Sequence, residues 1–149
     1  MNFCIEHKIG TIVLGRNKNW KDSISLSKTV NQNFVGIPFY KLMNAYKCKR
    51  LGINFVLQEE AYTSKCDALA FESIEKHESY KGSRIKRGLF KSSVGKLINA
   101  DINGALNILR KFLNSSKGTS EFSVLQKIIG SGLVFRHVRI TGNGIEVKL

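Results

Sequence analysis

Asn99-Ala100-Asp101-Ile102-Asn103-Gly104-Ala105-Leu106-Asn107-Ile108 is the stretch on which the reading of this chain turns. Ile102, Ala105, Leu106, Leu109, Phe112 and Leu113 recur near a 3.6-residue period. That spacing predicts a helix opened and capped by Asp101 and running to about Leu113, with those apolar residues on its buried side. The run before it, from Lys65 to Lys96, is rich in Lys and Arg and holds four acids, Asp67, Glu72, Glu75 and Glu78. A lone carboxylate beside cationic surface has two readings. It is a helix cap, or it is a metal ligand close to a bound polyanion.

Working back from that helix, residues 64–97 form a basic insertion with Gly and Ser punctuation and little periodicity. Before it, Ile-Asn-Phe-Val-Leu at 53–57 reads as a strand. Pro38 opens a helix in which Phe39, Leu42, Met43, Tyr46 and Leu51 fall near a helical period, and Gly52 closes it. Residues 9–14 read as a first buried strand, and the polar residues 16–32 around Trp20 as a loop. Strand, crossover helix, strand is a βαβ pattern, so the two strands are expected to be parallel neighbours. Both look apolar on each face and want partners on either side. Part of the sheet is therefore expected to lie outside this sequence, leaving an apolar edge prone to self-association. Past the helix, residues 114–120 read as a linker, 122–129 as a short helix, and 133–140 as an alternating segment. Gly142-Asn143-Gly144 is a turn before residues 145–149.

The composition bounds the function. The chain has 149 residues, enough for one domain with a core, and 24 basic against 11 acidic residues give a net charge of +13. Such an excess on a short chain points to a polyanion, with nucleic acid foremost. No apolar run approaches the roughly 18 residues that span a bilayer, so no membrane partner is expected. The amino terminus lacks a secretory pattern. Three scattered cysteines fit a reducing compartment.

Glu59 and Glu60 directly follow the second strand. Carboxylates from a strand end and a helix start, converging on one spot, can hold Mg²⁺ beside a phosphate. The plain alternative is that Glu59 and Glu60 are solvated loop charges and Asp101 only a cap.

Two segments in this order and spacing, Glu60-Ala61-Tyr62-Thr63-Ser64-Lys65-Cys66 and the opening stretch, resemble the C-terminal part of the OrfB/TnpB-type transposon nucleases. That family comprises RNA-guided DNA endonucleases with a RuvC-like, RNase H-type domain, related to compact CRISPR effectors and to Fanzor proteins. The resemblance runs from about Ile9 to Lys111. It implies an α/β chain with a partial RNase H/RuvC-like fold. Residues 1–63 and 98–113 would be core, 64–97 an inserted target-nucleic-acid-binding subdomain, and 114–149 a tail. Asp101 matches the third acidic motif. Gly15 stands where most members carry the second-motif glutamate, and Glu60 fits the place used instead by a Fanzor-like branch, with Glu59 one residue away. The resemblance thus implies Glu60 and Asp101 as catalytic, Mg²⁺-binding residues. Lys65, Lys81, Arg84, Lys86, Arg87 and Lys91 would bind nucleic acid, with Tyr80, Ile85, Leu89 and Phe90 interleaved for stacking.

Two departures limit the carry-over. Nothing preceding Ile9 resembles the family's Gly-x-Asp-x-Gly segment, which bears the first catalytic acid, and Asp22 does not match it. The usual insertion also carries two Cys-x-x-Cys pairs that bind one Zn²⁺. Here only Cys66 remains of the first, and residues 85–90 stand in the place of the second, so no zinc is expected, even with His77. Cys4 and Cys48 read as ordinary apolar positions, and His137 with Arg136 and Arg139 as an exposed face. The chain is expected to be a C-terminal portion of such a nuclease, inactive alone. DNA, guide RNA and an upstream-encoded chain completing the core are its expected partners. It would sit with DNA, at the nucleoid in a prokaryote or in the nucleus of a eukaryote. A nucleic-acid-binding remnant without chemistry is the alternative; a basic ribosome-associated protein would explain the charge but neither motif.

Overall fold

The computed structural model describes residues 2–16, 45–115, 121–132, 137–141 and 144–148. The chain divides into two compact units, Met1–Leu57 and Gln58–Leu149. In the first, a short helix α1 (Asn2–Glu6) leads into strand β1 (Thr11–Arg16), with the Ile9 amide donating to the Cys4 carbonyl at 2.8 Å. Helix α2 (Ala45–Arg50) ends at Gly52, whose φ of 68° is open to glycine at little cost. Strand β2 (Asn54–Glu59) follows and lies beside β1 in a two-stranded sheet. The Asn54 amide donates to the Gly10 carbonyl at 2.8 Å. That bond brings the starts of the two strands together, as a parallel pair requires. Both strands lie about two residues later than the apolar runs suggest, so Gly15 is inside β1 rather than past its end. The rest of the crossover, including Pro38 and Asp22, lies outside the described residues, as does most of residues 114–120.

The second unit begins at the end of β2. The insertion that showed no periodicity is an antiparallel three-stranded sheet of β3 (Ser83–Lys86), β4 (Leu89–Lys91) and β5 (Leu97–Asn99), in that order. Helix α3 (Ala100–Ser115) grows directly out of β5. Asn99, not Asp101, caps it: its side-chain oxygen accepts from the Asp101 and Ile102 amides at 2.8 and 3.2 Å. Helix α4 (Glu121–Gly130) packs on α3 through Leu125, Ile128 and Ile129. The hydrophobic core joins Ala68, Leu69, Phe90, Ile98, Ala100, Leu106 and Leu125. Strands β6 (His137–Thr141) and β7 (Gly144–Lys148) form a hairpin, which fits the expected turn, although residues 142–143 are outside the described set. Mixed helices and small sheets fit the expected α/β class.

Phe90 departs from the expectation that it is interleaved for stacking. It is the middle residue of β4, 1% exposed, and so belongs to the core rather than to a base-stacking surface. Its ring covers Gly82, where an added Cβ would meet two ring carbons at 2.4 and 2.6 Å. Gly82→Ala is therefore expected to lower stability by about 1–3 kcal/mol, the usual cost of forcing atoms into a packed core. Urea unfolding followed by circular dichroism checks this; an unchanged midpoint would contradict it.

Candidate functional site

The candidate residues named from the sequence lie in the second unit, where α3 holds the segment around Glu60. Ala100, Asn103, Leu106, Asn107 and Arg110 are its buried residues, a stripe at helical spacing that is more than half polar. Ala105, expected inside, is exposed. The polar members hold the segment that follows Glu60. Asn107 donates to the Thr63 carbonyl at 2.9 Å and to the Cys66 carbonyl at 2.7 Å. Asn103 donates to the Cys66 carbonyl at 2.9 Å and accepts from the Ala68 amide at 3.0 Å. Arg110 donates to Asn107 Oδ1 at 2.7 Å and to the Glu72 carbonyl at 2.8 Å, its guanidinium 5.4 Å from the Phe71 ring centroid. Burial pulls this guanidinium below its ordinary range, opposed by the nearby Asp67 and Glu72 carboxylates. The two motifs that carry the resemblance are thus one hydrogen-bonded unit.

Glu59 and Glu60 are separated in role. Glu59 accepts from the Ala61 amide and from Lys111, each at 2.7 Å. Lys111 also donates to the Ala61 carbonyl at 2.8 Å. Glu60, half-buried, has no side-chain hydrogen bond to the other described residues, and the same is true of the exposed Asp101. With Asn99 as the cap, Asp101 is relieved of the local task first assigned to it. The turn after Glu60 is held in an uncommon conformation, with Tyr62 at a φ of 64° and the Lys65 and Cys66 amides both donating to its carbonyl.

The clamp sets an order along α3. Ala68 and Cys66 lie against Asn103 and Asn107, Thr63 against Asn107, and Ala61 against Lys111. Glu60 is therefore tethered toward the later turns of the helix, and Asp101 stands in its first. Among the described residues, no group of three or more His, Cys, Asp or Glu side chains comes together. Mg²⁺ takes a near-octahedral shell of oxygens, usually with one or two carboxylates beside phosphate and water. Two uncombined carboxylates do not make that shell, so the residues present do not fit a complete Mg²⁺ site.

The basic residues fare differently. Lys65, Lys81, Arg84, Lys86, Arg87 and Lys91 are all exposed. Lys65 and Arg84 line a surface pocket of about 410 Å³ with Ser64, Tyr80, Gly82, Ser83 and Phe90. The Lys65 ammonium stands 5.9 Å from the Tyr80 ring centroid, and His77 meets the same ring edge-on at 5.4 Å. His77 also bonds the Ser73 carbonyl through Nε2 at 2.9 Å. A cleft with two cations, hydroxyls and an aromatic wall suits a nucleotide: phosphate to the cations, base to the ring.

Residues 40–108 match the family model of the Cas12f1-like TNB domain. This stretch is similar to the TNB domain of Cas12f1-like proteins. The match spans both motifs and the three-stranded sheet between them, and it agrees with a protein of TnpB or Cas12f type. No match to the chain is found among curated proteins. That likeness agrees with nucleic acid as the partner of the basic pocket. The residues that sequence reasoning missed are the polar ones that build this domain: Asp67, Glu72, Asn103, Asn107 and Arg110, all buried. A signal existed for three of them. Ala100, Asn103, Asn107 and Arg110 recur at steps of three and four, so the asparagines share a face with the core.

Proposed function

We propose that this chain is the target-strand-holding part of a TnpB-like, RNA-guided DNA endonuclease, and that its own 149 residues bind nucleic acid without cutting it. The pocket formed by Lys65, Tyr80 and Arg84 carries the reading. It seats one unpaired nucleotide, with the base against Tyr80 and its phosphates between Lys65 and Arg84. Lys81, Lys86, Arg87 and Lys91 extend the electrostatic track along the backbone. The position directly after the Glu60 turn supports a role beside a phosphodiester-cutting centre. Glu60 and Asp101 are the two acids this chain would contribute to a Mg²⁺ site in a RuvC-like core. The first aspartate must come from a segment other than these residues. The incomplete acid set favours, as second reading, a binding module without chemistry.

Anisotropy titrations with single-stranded DNA at several salt concentrations test the proposal. Affinity should fall steeply with salt, and Lys65→Ala or Arg84→Ala should each lower the log–log slope by about 0.7. Tyr80→Ala should weaken binding by roughly tenfold, the lower range for one lost stacking contact. Salt-independent binding, or unchanged affinity in all three variants, would refute it. Cleavage of the same DNA with Mg²⁺, abolished by Asp101→Ala, would refute the claim that the chain alone is silent.

A further inference from the structure

We infer that a buried cluster of Asp67, Ser92 and Ser93 ties the turn at residues 66–70 to the turn at residues 92–95 in the manner of a structural zinc ion, so that this part of the chain folds without metal.

The first turn, at residues 66–70, contains Cys66, the one remnant of the first Cys-x-x-Cys pair. The segment facing it is not residues 85–90. Those residues form the β3–β4 hairpin, turning at Gly88 with φ 77°. The facing segment is the turn at 92–95, closed by the Gly95 amide donating to the Ser92 carbonyl at 3.0 Å, with Gly95 at φ 78°. Asp67, fully buried, projects between the two turns. Within its own turn Oδ1 accepts from the Leu69 and Ala70 amides, both at 3.2 Å. Across the gap the Ser92 hydroxyl lies 2.8 Å from both carboxylate oxygens, and Oδ2 accepts from the Ser93 amide at 2.7 Å and the Ser93 hydroxyl at 3.0 Å. Residues 25 and 26 positions apart are joined in this way.

A carboxylate offers about four lone-pair sites. Those of Asp67 are filled by protein donors from both turns, which leaves none for a cation. Zinc fits this place poorly on other grounds too. A structural site needs four soft or borderline ligands in a tetrahedron, and here the thiols of the two pairs have dwindled to Cys66. Its sulfur is 3.7 Å from the Glu75 carbonyl, and burial pushes the thiol up, against the thiolate a metal needs. His77 Nε2 is engaged with Ser73.

The test uses the full chain, purified without chelator or added metal. Its zinc content is measured, and thermal unfolding is followed with and without excess EDTA. The expected result is no stoichiometric zinc and the same midpoint in both conditions. Asp67→Asn, which turns one acceptor oxygen into a donor facing other donors, should lower the midpoint by roughly 5–10 °C. If that variant does not fold, Ser93→Ala removes one bond and should give a smaller fall, again untouched by EDTA. One zinc per chain, a midpoint that drops with EDTA, or no shift in both variants would overturn the inference.

Discussion

Asn107→Ala should remove about 3 kcal/mol of stability, more than most single substitutions in this chain. The amide is fully buried and makes three hydrogen bonds, two donated to backbone carbonyls and one accepted from Arg110. Alanine leaves the Thr63 carbonyl and one guanidinium N–H without their partner away from water. Each orphan costs about 1–3 kcal/mol, and more where charge is involved. The Cys66 carbonyl keeps its bond from Asn103, so it adds little to the loss. Asn107→Asp should be worse than alanine, because a carboxylate oxygen would then face two carbonyl oxygens. Urea unfolding gives the number directly. A loss below 1 kcal/mol would show that the clamp is dispensable. Because Asn103 and Asn107 share the Cys66 carbonyl, their alanine variants should not add, and a double-mutant cycle measures the coupling.

Glu72→Ala should cost about 2–4 kcal/mol. Its two carboxylate oxygens each serve one backbone amide, Oε2 accepting from Asp67 at 2.7 Å and Oε1 from Lys81 at 2.8 Å. The side chain is 4% exposed, so water does not replace it. Hydrogen bonds to a charged acceptor are worth about twice neutral ones, which places this pair near the top of the usual range. Glu72→Gln should recover only part of the loss, since one amide oxygen can replace one acceptor while its NH₂ group confronts the other N–H. Thermal or urea unfolding of the two variants separates these outcomes: equal stability of Glu72→Gln and the unchanged chain would mean that one of the two bonds contributes nothing. The Lys81 bond also fixes the start of the segment that carries Tyr80 and Arg84. Glu72→Ala is therefore expected to weaken DNA binding as well, by disturbing the pocket rather than by changing its charge.

The large elements were legible in the sequence because they are built on apolar periodicity. Residues 9–14 and 53–57 found their strands, and Ile102, Leu106, Leu109 and Leu113 found α3. The three-stranded sheet left almost no such trace. β3 is exposed along its whole length, and β4 and β5 have three residues each, too few to show alternation. Their inward residues, Phe90 and Ile98, each sit in a mere apolar pair, Leu89-Phe90 and Leu97-Ile98, within a basic run. The acids of that run were harder still. Asp67 and Glu72 flank Ala68-Leu69-Ala70-Phe71, an apolar setting that argues for burial, yet their partners are backbone amides and serines that carry no pattern. At the candidate site, motif resemblance picked out Glu60 and Asp101, whereas the asparagines of the same motif proved to be its scaffold. Charge and aromatic content drew attention to Tyr80, Lys65 and Arg84, but only the folded chain shows them around one pocket.

The bonds between α3 and residues 63–68 span 35 to 44 positions of sequence. They fasten together the two ends of everything between Thr63 and Asn107. Closing a loop of that size costs entropy that grows only with the logarithm of its length, about 0.6 kcal/mol per doubling. With the base fixed in this way, an exposed turn of the intervening lobe, such as the one at Gly88, can be lengthened at modest cost so long as Phe90 and Ile98 keep their places in the core. The asparagine clamp therefore acts as a fixed mount, on which exposed turns proposed to meet nucleic acid can change while the packed base stays as it is.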